Sequence, residues 1–157
     1  MSHYLDMKVP LTDPEAIVRA LTRMGFPKKA IEVHEKPVTL IGYSGETRQA
    51  NIIVRKEWIQ GHKNSVGMTG YTCYADLGYH LQSDGTYQAY VDDHNFNPTW
   101  VKKMSTYHNV ELAKMRLDDK KIKYTETVEK GLPTLIAKLP FKTPNKLANR
   151  QTLGFSS

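Results

Sequence analysis

The chain has 157 residues and a net charge of +6, from 22 Lys and Arg against 16 Asp and Glu. That length suits a single domain with a core of its own, and the lone cysteine, Cys73, excludes an intrachain disulfide and a cysteine-built zinc site. No run of about 18 apolar residues occurs and the first ten residues lack the apolar stretch of a signal peptide, so the expectation is a cytoplasmic protein with no membrane contact.

In chain order, the segment through Val9 predicts an edge strand ending at Pro10. Thr12, with Glu15 three positions on, has the form of a capping box, and Pro14 sits in the tolerant first turn, so a helix is expected over 12–24. Ile17, Val18, Leu21 and Met24 make its apolar stripe and Gly25 its stop. Ala30–His34 reads as a strand. Val38–Tyr43 and Thr47–Arg55 read as a hairpin around Ser44-Gly45-Glu46, with Leu40 opposite Ala50 and Val38 opposite Ile52. From Lys56 to Gly70 the pattern breaks around Gly61, Gly67 and Gly70, which predicts a longer loop leading to a strand at Tyr71–Ala75.

Asp76–Asp93 is the clearest hairpin. A three-residue loop, Ser83-Asp84-Gly85, pairs Leu81 with Tyr87, Tyr79 with Ala89 and Leu77 with Val91 on one apolar face. The other face then pairs His80 with Gln88 and sets Asp76 against Asp92, two carboxylates that repel. Asn97-Pro98 opens a second helix that runs to Lys120, with an imperfect apolar face of Trp100, Met104, Tyr107, Ala113 and Met115. Ile122, Tyr124 and Val128, then a turn at Gly131, then Leu135, Ala137 and Leu139 predict a closing hairpin. Residues 140–157 are basic and short of core residues, so they read as a mobile tail. The expected fold is one α+β domain over 1–139, an antiparallel sheet with two helices packed on one face.

Met1-Ser2-His3-Tyr4, Met24-Gly25-Phe26, Ile41-Gly42-Tyr43-Ser44-Gly45 leading into Ala50–Val54, Asp84-Gly85-Thr86-Tyr87 with Asp92-Asp93, and Tyr107 occur in that order. In order and spacing they resemble the uncharacterised family of the hypothetical chloroplast reading frame thirty-five, whose relatives occur in plastids, cyanobacteria, other prokaryotes and phages. Against that pattern, residues 56–75 look like an insertion and 140–157 like an added tail. The resemblance implies a fold and no particular chemistry, and it makes plastid stroma or a virus particle alternative locations to the cytoplasm.

Charge is divided unevenly. Residues 1–100 hold ten basic and eleven acidic side chains, a balance of −1, and residues 101–157 hold twelve and five, a balance of +7. Such a basic third attracts phosphates by counterion release. The expected partner-binding residues are Lys102, Lys103, Lys120, Lys121, Lys123, Lys142, Lys146 and Arg150. The expected function is a non-enzymatic binding module or small subunit, with no cofactor, docking on a larger protein or nucleic-acid-containing assembly, with RNA or DNA as a possible contact. The alternative is a metal-dependent enzyme or a binder of nucleotides or phosphorylated ligands. Its site would be Asp76, His80, Asp92, Asp93 and His94, because carboxylates and imidazoles together suit a divalent ion or acid/base work. A structural component of a phage particle is a third reading. Gly42-Tyr43-Ser44-Gly45 runs into a strand with no Gly-Lys-Ser/Thr after it, unlike a phosphate loop. Cys73 and His80 lack an orienting acid. The load of Trp58, Tyr71, Tyr74, Tyr79, Tyr87 and Tyr90 suits packing better than base stacking.

Overall fold

The structure is a computed structural model that describes residues 4–60, 75–92, 96–138 and 150–154. Five antiparallel strands form the larger sheet: β1 (Tyr4–Leu11), β2 (Ile31–Ile41), β3 (Thr47–Val54), β4 (Leu77–Leu81) and β5 (Tyr87–Asp92), in the order β1-β5-β4-β3-β2. A smaller sheet has the order β6-β7-β8, from β6 (Tyr124–Glu129), β7 (Leu132–Lys138) and β8 (Arg150–Gly154). The helices are α1 (Pro14–Arg23), the short α2 (Lys56–Gln60) and the 22-residue α3 (Pro98–Asp119). The architecture is the α+β arrangement expected, with α1 and α3 against one face of the larger sheet. Among the described residues no helix is long and apolar enough to cross a membrane.

The hairpin at the centre of the sheet forms in the register its alternation dictates. Tyr79 faces Ala89, His80 faces Gln88 and Leu81 faces Tyr87. Gly85 takes a φ of +87°, which closes the three-residue loop, and Asp84 holds Thr86 by backbone and hydroxyl. Two details differ from expectation. Leu81 is 44% exposed, although Tyr87 opposite it is buried in the helix-side core. The β4–β5 ladder stops at Gly78 and Tyr90, so Asp76 does not pair with Asp92.

The helix side holds the main core: Leu11, Ile17, Leu21 and Phe26 meet Ile52, Val54, Leu77, Tyr79, Ala89, Val91, Trp100 and Met104. The cap of α1 is Asp13, whose carboxylate accepts from the Ala16 N–H at 2.9 Å, in place of the expected Thr12; Glu15 instead pairs with Arg19 one turn on. Gly25 at φ +108° and the Phe26 N–H on the Leu21 carbonyl end the helix in a Schellman turn. Asn97 caps α3 by accepting from the Trp100 N–H at 2.8 Å. The buried side of α3 is more polar than its apolar stripe predicts, since His108 and Glu111 are both buried there. The Nε2 of His108 accepts from the Thr12 and Asp13 N–H groups, each at 3.3 Å, at the start of α1. Nδ1 therefore carries the proton and faces Asn109 Oδ1 at 3.0 Å.

The other face of the sheet is covered by the chain itself. Ala30–His34 and Val38–Tyr43, expected as separate strands, are one strand interrupted at His34–Pro37. Val33 pairs with Ile52 and Val38 pairs with Ala50, so four residues of β2 stand opposite Asn51 alone. Asn51 fills the gap: its Nδ2 donates to the His34 and Glu35 carbonyls at 3.3 and 3.2 Å, and its Oδ1 accepts from the Leu81 N–H at 2.9 Å. Beyond this irregularity the β2–β3 hairpin bends over the sheet. A Cβ on Gly42 would run into the Tyr4 ring of β1, at the far edge of the sheet, and one on Gly78 would run into Leu40 and Ala50. A second core of Tyr4, Leu40, Ala50, Ile53, Ala75 and Tyr90 lies underneath. The bend also moves the hairpin register by two residues from the expected one, setting Val38 against Ala50 and Leu40 against Arg48.

The buried His108 gives α1 a pH dependence. Burial lowers its pKa; the Asn109 hydrogen bond and Asp13 push it up, and Arg116 pushes it down. Between that lowered value and the free imidazole value of about 6.5, the unfolded chain binds more protons than the folded one, so stability falls as pH drops through this window and is complete above it. Urea melts at about pH 7.5 and about pH 5.5 will show lower stability at the lower pH. In His108→Gln that difference between the two pH values shrinks.

Candidate anionic-partner interface

Among the described residues, Asp76, His80 and Asp92 do not assemble into a metal centre. Asp76 is a structural carboxylate. Its Oδ2 accepts from the Ile41 N–H at 2.9 Å and from Arg55 Nη1 at 3.1 Å, and its Oδ1 accepts from the Lys56 N–H at 2.9 Å. Its backbone N–H donates to the Ile41 carbonyl at 2.9 Å and its carbonyl accepts from the Tyr4 hydroxyl at 2.7 Å. Arg55 in turn grips Glu32 with Nε and Nη2, and Glu32 meets His34 at 2.8 Å. The Arg55 hydrogen bond holds the Glu32 carboxyl below the usual carboxylate range, against its partial burial. This network latches the folded-over hairpin to the start of β4. His80 lies beside the Tyr90 ring, 6.4 Å between centroids, and Asp92 is buried at the end of β5, paired through the backbone with Tyr4. Asp93 and His94 lie outside the described residues. Among the described residues no group of three His, Cys, Asp or Glu is placed to hold a metal ion.

The predicted basic residues divide into two places on α3. Lys102 and Lys103 sit in its first turns; Lys120, Lys121 and Lys123 follow its last turn. Lys102 and Lys120 are eighteen positions apart, which is about 27 Å at 1.5 Å per residue. Lys142 and Lys146 lie outside the described residues. Arg150 opens β8, and here the mobile-tail expectation is corrected: residues 150–154 form a strand paired to β7 across five register positions.

That pairing brings cations together at the far end of α3. The turn between β6 and β7 is two residues, Lys130 and Gly131, both at positive φ, 52° and 77°. This register sets Lys138 against Lys123, with the Lys138 N–H on the Lys123 carbonyl at 2.8 Å. On the other edge of β7 the register sets Arg150 beside Lys138. Lys120 and Lys121 occupy the turn immediately before, where Lys121 takes a φ of +56°, the left-handed position that glycine fills at less cost. Lys120, Lys121, Lys123 and Lys138 are exposed, and among the described residues none of the four ammonium groups meets a carboxylate. Lys138 was missed by sequence reading, although a two-residue turn at Lys130-Gly131 was enough to place it opposite Lys123.

A third charged group is balanced. Arg23 of α1, Glu111 and Lys114 of α3, and Glu126 of β6 form a closed set of ion pairs. Arg23 lies 2.9 Å from Glu111 and 2.7 Å from Glu126; Lys114 lies 3.1 Å from Glu111 and also meets Glu126. The Arg23 hydrogen bond holds the Glu126 carboxyl low, against burial. Its formal charge sums to zero, so it joins α1, α3 and the small sheet without adding to the basic surface.

No family model matches the chain, and no curated protein and no solved structure matches it either.

Asp76→Asn separates a structural carboxylate from a metal ligand. The new amide nitrogen must face a backbone N–H or Arg55, so the variant loses about 2–4 kcal/mol in urea unfolding. The loss is the same with and without Mg²⁺ or Mn²⁺; stability that the parent gains on adding metal and the variant does not would assign the carboxylate to a metal.

Proposed function

We propose that the protein is a non-enzymatic binding module that docks on a nucleic-acid-containing assembly through the cationic end of its small sheet. One observation carries the reading: the β6–β7 register sets Lys138 opposite Lys123, the residue just before β6, next to Lys120 and Lys121, and the backbone of Arg150 pairs beside Lys138. Asp118 and Asp119 share that turn, so the four lysines leave an excess of two positive charges before Arg150 is counted. A run of cations at roughly the spacing of neighbouring strands, about 4.8 Å, matches a phosphate backbone better than it matches a single small anion. Lys121 adds support, since a lysine at a left-handed helix stop gives up about 1 kcal/mol of local stability to put a cation there.

Such a contact is governed by counterion release and is largely blind to sequence. Four lysine–phosphate contacts on duplex DNA give a slope of about −3.6 in log affinity against log salt. Replacing Lys120, Lys121, Lys123 and Lys138 with Ala will weaken binding to unrelated duplexes to a similar degree and flatten that slope by about 3.6. Fluorescence anisotropy between about 50 and 200 mM salt reads both quantities. An affinity that ignores salt, or a slope unchanged in the quadruple variant, would remove nucleic acid as the partner of this surface.

A further inference from the structure

The first turns of α3 and the β6–β7 hairpin enclose a groove of about 630 Å³, and its two walls differ in chemistry. Thr99, Lys102 and Lys103 come from the helix; Val128, Leu132 and Pro133 come from the hairpin. Val128 is 72% exposed and Leu132 37%, so the hairpin wall presents apolar surface that nothing in the described chain covers. The half-buried Tyr107 ring also lines the groove, with the Arg23 guanidinium 4.3 Å and the Lys103 ammonium 5.7 Å from its centroid. At the end of the groove Arg23 and Glu126 are already paired with each other. Among the described residues, Lys102 and Lys103 meet no carboxylate.

We propose that this groove binds an extended acidic segment of a partner protein, its carboxylates on Lys102 and Lys103 and its aliphatic side chains on Val128, Leu132 and Pro133. Such a segment is favoured over a nucleic-acid backbone because a phosphodiester chain has no apolar side to cover Val128 and Leu132. An extended peptide alternates its side chains between two directions, which suits one cationic wall and one apolar wall. Unpaired cations beside exposed apolar surface combine electrostatic steering with burial on docking. The site lies about 27 Å along α3 from the lysine end, so it is independent of the nucleic-acid reading.

The test uses the full chain and a fluorescein-labelled peptide of alternating Leu and Asp, compared with one of alternating Ser and Asp. In fluorescence anisotropy the Leu/Asp peptide binds, and the Ser/Asp peptide binds about tenfold more weakly. Lys102→Ala with Lys103→Ala weakens the Leu/Asp peptide about tenfold, and Val128→Asp does so separately. The three positions are on the surface, and an unchanged urea midpoint confirms that each variant is folded. The Lys120, Lys121, Lys123 and Lys138 alanine variant binds this peptide as the parent does, whatever it does to DNA. Equal affinity for the two peptides, or an affinity unmoved by the groove variants, overturns the proposal. So does displacement of the peptide by a single-stranded DNA that needs Lys102 and Lys103 to bind.

Discussion

The structure depends on α3 burying polar side chains on its core side and finding a partner for each. A helix that served one core would do so with an apolar stripe. This one serves two: Trp100, Val101 and Met104 enter the main core, while Val110 and Leu117 pack with Leu135 and Ala137 under the small sheet. Between them the buried face carries His108 and Glu111. A buried imidazole or carboxylate without partners costs more than the contacts around it return. Both are satisfied from the α1 side, through the Thr12 and Asp13 N–H groups that lead into that helix and through Arg23 in its last turn. These polar contacts fix how α1 lies along α3, and the Arg23, Glu111, Lys114 and Glu126 set then fixes where β6 sits against both.

The larger sheet meets a different constraint. One face is covered by helices; the other would be left open with Tyr4, Ile53 and Tyr90 on it. The chain closes that face with its own hairpin, which can bend because Asn51 replaces the backbone pairing lost across His34–Pro37. The bend brings Ile41 over Asp76, and the carboxylate there bonds two N–H groups that the irregular backbone leaves unpaired by a strand. The charges of Glu32, Arg55 and Asp76 are thus occupied in holding two layers together. Asp76, which composition offers as a metal ligand, is structural in geometry.

Both proposed binding surfaces follow from the same placement of α3. Because the helix runs the length of the small sheet, its first turns face the tip of the β6–β7 hairpin and its last turn abuts the strand ends beyond Lys123. The first junction leaves a groove with one cationic and one apolar wall. The second gathers lysines that are scattered over nearly twenty residues of sequence. The balanced ion-pair set lies between, so the two surfaces are electrostatically separate.

Local pattern in the sequence determined the elements whose cause is local. The hairpin of Leu77–Leu81 and Tyr87–Asp92, its Gly85 loop, the Asn97 cap of α3 and the Gly25 stop of α1 all rest on neighbouring residues, and period-two or helical alternation was sufficient to place them. The uneven charge was legible for the same reason, as was the α+β class. What tertiary structure decided is every feature that joins distant residues. The interruption of β2 depends on an asparagine seventeen positions away from His34. The cap of α1 lies beside His108, about ninety-five positions on. Lys123 and Lys138 meet across the β6–β7 register, and residues 150–154 add a third strand beside them to a hairpin that already looked complete. Sequence alternation says which side of a strand is apolar, but it does not say which other strand lies alongside, and hydrogen-bonded register is what turns separate lysines, or separate carboxylates, into a surface or a latch.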